Sequence, residues 1–384
     1  MSSLLADKIS EAYRSVYQHT DFIPLHAPVF GEQEKKYVLD CVETAWVSSV
    51  GSYVNKIGEQ ICELSGAKYA VPTSSGTSAL HLSLVALGIS KGQIVLCPDI
   101  SFVATAAAIR YADAIPAFID VCPDTLGIDP NKIRDFISDK CVVRDGKLYE
   151  KETNYRVSAV MGMHNVGFPI ATKQVLDICE EYGLFFIEDA AESLGSIDES
   201  GKMCGTVGDV GVYSFNGNKI ITTGGGGVLV TNDETVFKKA LHLSTTAKVP
   251  HPYLYEHDDI GFNYRMPNIN AALGCAQLER FEEILKVKSQ QSDSIDAGLE
   301  GLGGLSIKKA PLGKENNWFK IVELSDCKAE ELIPKLSEKG IMARPLWSQI
   351  SKMPPYKDFP KGEIEEASGV INRIVCLPNG IAKL

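Results

Sequence analysis

Long apolar runs are missing from this sequence. No stretch of 18 or more apolar residues occurs along its 384 residues, so no segment qualifies as a transmembrane helix. The opening MSSLLADKISEAYRSVYQHTDF mixes charge throughout and lacks the apolar centre of a secretion signal. Paired cysteines are missing as well. Ten cysteines are scattered from Cys41 to Cys376, with no CxxC spacing and no Cys/His cluster. That scatter predicts reduced, mostly buried thiols in a cytoplasmic protein and leaves no metal centre to propose. Positive charge is in short supply: 38 Lys and Arg stand against 49 Asp and Glu, a net −11. The balance argues against nucleic acid or an anionic membrane as the main partner, while leaving room for a local basic pocket. Internal repeats and low-complexity segments are absent. No GxGxxG follows the early strand-like runs, which removes the usual dinucleotide fingerprint.

What is present is a chain with 45% hydrophobic and 23% charged residues, long enough to predict two globular domains. Residues 1–20 carry apolar side chains near helical spacing. From about Ala67 short apolar runs alternate with helical stretches. KYAVPT, QIVLCP, PAFIDV, RVSAVMGMH and LFFIEDA read as strands, and VGVYSF and GGVLVTND as two more. SSGTSALHLSLVALG, ISFVATAAAIRYAD, PNKIRDFISD and KQVLDICEEYG read as the helices between them. This alternation predicts an α/β fold with a mostly parallel sheet covered on both faces. The polar stretch Cys141–Tyr155 carries an Asp145-Gly146 turn and predicts a hairpin insertion. A long helical segment then leads into a changed composition. The expected division is a large domain over 1–265 and a smaller α+β domain over 266–384.

Ligands of open parallel sheets bind beyond the carboxyl ends of the strands, so the polar residues that follow strands are the candidates. Ser74-Ser75-Gly76-Thr77-Ser78 stands between a strand and a helix start. It either caps the helix or holds an anion on its N–H groups. Asp189 ends a buried apolar run, where a carboxylate needs a partner, either a backbone cap or a cationic ring nitrogen. Phe102 follows QIVLCP and belongs either to the core or against a planar ligand. Lys219 stands in Ser214–Gly227, SFNGNKIITTGGGG. The phosphate-loop template GxxxxGK[ST] fails there, because an Asn separates Gly217 from Lys219 and Ile220 replaces the Ser or Thr. One cofactor fits these pieces together. Pyridoxal 5'-phosphate needs a lysine to anchor it, an acid at its ring nitrogen and an anion site for its phosphate. Lys219, Asp189 and Gly76-Thr77-Ser78, with Ser214, supply them in that order. The glycines after Lys219 let backbone pass close to the cofactor.

The same stretches resemble the DegT/StrS family of pyridoxal phosphate-dependent nucleotide-sugar aminotransferases. The likeness runs from FIPLHAPVFGEQEKKYV to the C-terminal part, through FFIEDAAESLG, GDVGVYSFNGNKIITTGGGGVLVTND and GFNYRMPNINAALGCAQLE. It implies the type I aspartate-aminotransferase fold, with a mostly parallel large-domain sheet of about seven strands. It also implies a homodimer with shared active sites. By that resemblance Lys219 anchors the cofactor, Asp189 holds the ring nitrogen, and Gly76, Thr77, Ser78 and Ser214 form the phosphate site. Phe102 stacks on the ring, and Asn263 reaches the phosphate from the partner subunit. Glu192 departs from the Gln or His of many members near the cofactor's phenolic oxygen. Its carboxylate is either protonated, in repulsion, or turned away. Thr44–Val54 (TAWVSSVGSYV), the insertion and Met163–Gly167 (MHNVG) resemble the branch that aminates C4 of UDP-4-keto-6-deoxy-N-acetylglucosamine towards bacillosamine- or legionaminic acid-type sugars. L-glutamate is the expected donor. An aminotransferase for a GDP- or dTDP-linked 4-keto or 3-keto deoxysugar, with GDP-4-keto-6-deoxymannose nearest, is the alternative substrate reading. A non-catalytic sensor and a sugar dehydratase are rivals that the presence of Lys219 disfavours. Arg265, Arg344, Lys248 and His164, with Trp46 and Tyr253, are the candidates to hold the sugar nucleotide.

Overall fold

A computed structural model describes residues 2–382. Its main sheet uses β1 (Tyr69–Thr73), β2 (Gln93–Pro98), β3 (Ile115–Ile119), the hairpin β4 (Cys141–Arg144) and β5 (Lys147–Glu150), β6 (Arg156–Met163), β7 (Phe185–Asp189), β8 (Val210–Ser214) and β9 (Gly227–Thr231). The order is β1-β9-β8-β7-β6-β2-β3, with β4 and β5 attached at the side through β6. The pairs β2–β3, β2–β6, β6–β7 and β7–β8 are parallel, while β9 runs antiparallel to both β8 and β1. The expected fold class and the hairpin are therefore present.

The period of two along each strand explains why the runs are so apolar. In QIVLCP, Val95 and Cys97 enter the core beneath the helix Gly76–Ala86, while Ile94 and Leu96 enter a second core with the helices Pro130–Lys140 and Thr172–Tyr182. Strands buried on both faces cannot alternate with polar residues. Each fully buried Ile or Leu contributes about 1.5–3 kcal/mol.

A second, antiparallel sheet joins β10 (Leu305–Lys308), β11 (Lys320–Leu324), β13 (Ile374–Leu377) and β12 (Arg344–Pro345) in that order. The packing of the helices around the two sheets does not follow chain order. The N-terminal helix Ser2–Tyr17 buries Leu5, Ile9 and Tyr13 against Val322, Leu332 and Val375, so it belongs with the smaller sheet. The helix Asn268–Glu279 instead buries Ala271 and Cys275 with Val54, Ile57 and Ile61 of the helix Ser52–Ser65, on the large-sheet side. The single long helix expected there is two helices, broken at Arg280 before Phe281–Leu299.

Candidate active site

The carboxyl ends of β6, β7 and β8 open into a cavity of about 310 Å³. Met163, Asp189 and Ser214, the last residues of these strands, all line it. The start of the helix Gly76–Ala86 contributes Ser75, Gly76 and Thr77. Phe102, Glu192 and Lys219, also predicted, line the cavity too, beside Asn218, Gly225 and Trp347.

Asp189 is almost wholly buried. Oδ2 accepts the Thr105 hydroxyl at 2.7 Å and Oδ1 the Ala191 N–H at 3.2 Å. Burial nevertheless pushes the carboxyl up to about 6, with the Thr105 and Ala191 bonds pulling the other way. A carboxylate in that position gains from a cation placed against it. Lys219 Nζ does not take that place: it lies 3.1 Å from Glu192 Oε1 and 4.3 Å from the centroid of the Trp318 ring. Glu192 has therefore turned to the lysine, and its Oε2 accepts the Val166 N–H at 2.8 Å. Phe102 is half exposed and meets Trp347 edge-on, with 5.4 Å between ring centroids.

Two predicted residues stand outside the lining. Ser78 points back into its own turn, where its N–H donates to Ser75 Oγ at 3.0 Å and the two hydroxyls meet at 2.8 Å. Ser75 is thus the helix cap, and it also lines the cavity. Asn263 is exposed on a segment bridged to Thr245, away from the lining of its own protomer's cavity. Among the nucleotide candidates His164 is corrected. It is fully buried, with Nε2 3.0 Å from Glu188 Oε2 and Nδ1 accepting the Ile170 N–H at 3.2 Å. It therefore has no face to offer a substrate. Lys248 lies over the Tyr255 ring, and Arg344 lines a second pocket beside Trp347. Ser75 was within reach of sequence reasoning, since it sits inside the quoted SSGTS stretch. Trp318 and Trp347 were not, because they approach Lys219 and Phe102 from the distant smaller sheet.

The residues fit pyridoxal phosphate. The buried acid lacks the cation that a protonated ring nitrogen supplies. Gly225 offers an open wall, where an added Cβ would meet no protein atom within 4 Å. The helix start at Gly76, an N-terminus that favours an anion, lines the cavity together with Ser75, Thr77 and Ser214 and suits a phosphate. Among the described residues no group of three or more His, Cys, Asp and Glu could hold a metal ion, and no helix is long and apolar enough to cross a membrane.

Fold and site together define a pyridoxal phosphate-dependent aminotransferase. The chain belongs to the DegT/DnrJ/EryC1/StrS aminotransferase family, whose model matches residues 28–382. It is 35% identical over 349 residues to a GDP-perosamine synthase of Escherichia coli O157:H7, covering 91% of each chain. It is also 35% identical over 364 residues to the putative pyridoxal phosphate-dependent aminotransferase EpsN of Bacillus subtilis, covering 93% of this chain and 91% of that one. The crystal structure of DesI with its TDP-sugar product superimposes with a TM-score of 0.82 at 25% identity, covering 94% of this chain and 88% of DesI.

Proposed function

We propose that this enzyme moves the amino group of L-glutamate to C4 of a nucleotide-linked 4-keto-6-deoxy sugar, in the cytoplasm, as a homodimer. The observation that carries the reading is one cavity lined by a lysine, a buried acid and a helix start with neighbouring hydroxyls, on a chain of sugar-aminotransferase lineage.

When bound, pyridoxal phosphate carries the amino group between the two substrates and withdraws electrons from the carbon that loses its proton. The chain's residues divide the remaining work. Gly76, Thr77 and Ser214 hold the phosphate, with Asn263 of the second subunit in the proposed dimer. Ionised Asp189 keeps the ring nitrogen charged. Phe102 packs on the ring. Lys219 Nζ takes the proton from Cα of the amino donor and, in the second half-reaction, delivers one to C4 of the sugar. One amine serves as anchor and as proton carrier, so the kinetics are ping-pong.

The relatives favour a GDP-linked sugar over the UDP-linked acetamido sugar placed first from the motifs. GDP-4-keto-6-deoxymannose is therefore the leading substrate. UDP-4-keto-6-deoxy-N-acetylglucosamine is the second reading, supported by the wording of residues 44–54, 141–155 and 163–167. A coupled assay with L-glutamate and a panel of GDP-, UDP- and dTDP-linked 4-keto-6-deoxy sugars decides it. Release of 2-oxoglutarate with the GDP sugar is the expected result. Turnover with the UDP sugar alone reverses the order of the two readings, and no turnover with any sugar removes both.

A further inference from the structure

Lys219 does not hang free in its cavity. Glu192 Oε1 lies 3.1 Å from Nζ, and the carboxylate is fully shielded from water. On another side the indole of Trp318 stands 4.3 Å away, centroid to Nζ, in cation–π contact. Both groups are fastened by bonds of their own. Glu192 Oε2 accepts the N–H of Val166 at 2.8 Å. Val166 sits at φ 53, a left-handed conformation that costs a β-branched residue dearly. The turn is held by its fully buried neighbour Asn165, whose Nδ2 donates to the Ile100 and Leu126 carbonyls at 2.8 and 2.7 Å. Trp318, also fully buried, donates Nε1–H to the Asn218 carbonyl at 2.7 Å and its backbone N–H to Asn316 Oδ1 at 3.0 Å. Its own carbonyl accepts from the buried Lys288. Asn316 Nδ2 donates to the Glu192 carbonyl at 2.9 Å, which ties the two walls together.

Packing alone does not account for this arrangement. A buried carboxylate is costly without a cation, and strain in a turn persists only where the surroundings enforce it. We propose that Glu192 and Trp318 form a seat for the free ε-ammonium of Lys219, and that the strained Met163–Gly167 turn holds Glu192 in place for it. The inference rests on the proposed double role of Lys219 as anchor and proton carrier. Between those tasks the amine has left the cofactor but has to remain within reach of it. The seat keeps it in place. Asp189 also faces this space. His26 shares a small pocket with Lys219, and burial, then the nearby Lys288 and Lys219 charges, hold it neutral. Glu192 is therefore the anion in contact with the amine. Glu192 and Trp318 are positioning residues, and neither has to touch the substrate.

The test uses the full chain loaded with pyridoxamine phosphate, which brings its own amine and leaves Lys219 free. A small acylating reagent is added, and Lys219 modification is followed by peptide mapping. Wild-type Lys219 is expected to react slowly. Glu192→Gln raises the rate by about tenfold, because the amine loses the carboxylate that holds it at 3.1 Å and leaves the seat. Trp318→Phe raises it less, and Glu192→Asp restores part of the protection. A Glu192→Gln protein with wild-type melting temperature and cofactor content, but a wild-type labelling rate, overturns the seat. Should Glu192→Gln not fold, Trp318→Phe is judged by the same criterion. The labelling rate is independent of turnover. Failure of the seat leaves the sugar assay intact, whereas failure of the functional reading appears as turnover in Lys219→Ala.

Discussion

Asp189 sets the tone at the residue scale, because its environment favours the wrong charge until a cation arrives. Burial raises its carboxyl from 3.8 to about 6. The folded chain therefore binds this proton more tightly than the unfolded chain does. Its contribution to stability is fully present below about 3.8 and is lost as pH rises through about 6. The shift corresponds to at most ~3 kcal/mol. Urea titrations of the cofactor-free enzyme between pH 4 and 7 are expected to show this fall in the wild type and not in Asp189→Asn, so the difference between the two proteins is the readout. Equal pH slopes would contradict the assignment of the shift to this carboxyl. The same substitution is expected to lower turnover by about a hundredfold, the scale of a lost electrostatic stabiliser. It removes the negative charge that, in the proposed function, keeps the ring nitrogen protonated. Near-normal turnover would remove Asp189 from that role.

At the scale of the element, the glycine run after Lys219 has more than one reason to be glycine. Gly227 begins β9, opposite both Thr73 and Ser214. A Cβ there would stand 2.5 Å from the Gly76 backbone nitrogen. The Ser75–Gly76 backbone it would strike cannot yield as a flexible side chain can, so Gly227→Ala is expected to cost about 3 kcal/mol, read as a lowered melting temperature. Gly225 faces the cavity with no protein atom in the way. Gly225→Ala is expected to stay within about 1 kcal/mol of wild type in stability and to lose cofactor affinity, measured by fluorescence titration. Wild-type affinity would show that this glycine clears no space for the ligand. The sequence reading assigned the whole run to the cofactor, whereas Gly227 serves the close approach of strand and helix. Strands were legible because burial on both faces writes an unbroken apolar run, and their ends located Asp189 and Ser214. Trp318 was not legible, since its contact with Lys219 spans about a hundred residues and leaves no local pattern. The strained Val166 was hidden for another reason: valine advertises a strand, and only tertiary contacts hold it left-handed.

The whole molecule closes its chain end to end. The helix Ser2–Tyr17 packs on the smaller sheet near the C-terminus, with the Tyr13 hydroxyl donating to the Pro378 carbonyl at 2.9 Å. A boundary drawn along the sequence could not express that return. The surface carries a second message. Trp46, Val50, Tyr253, Tyr255 and Ile260 are large apolar or aromatic side chains left open to solvent, and Asn263 is exposed a few residues beyond them. Exposed side chains of that kind, where they gather into one patch, mark contact surfaces, and in the proposed dimer a second copy of the chain would cover them with self-complementary geometry. If Asn263 of one subunit serves the cavity of the other, two defective proteins can repair each other. Lys219→Ala keeps a sound Asn263, and Asn263→Ala keeps a sound Lys219. In a hybrid dimer one cavity receives both intact residues and the other receives neither. Mixed in equal amounts and allowed to exchange subunits, the two proteins form hybrids half of the time, each with one working site. The mixture is then expected to recover about a quarter of wild-type activity, while Lys219→Ala alone shows none and Asn263→Ala alone is impaired. Recovery requires exchange, so light scattering or native mass spectrometry has to confirm the hybrid first. A confirmed hybrid whose activity is only the average of its two parents would place Asn263 in the service of its own chain and end the shared-site reading.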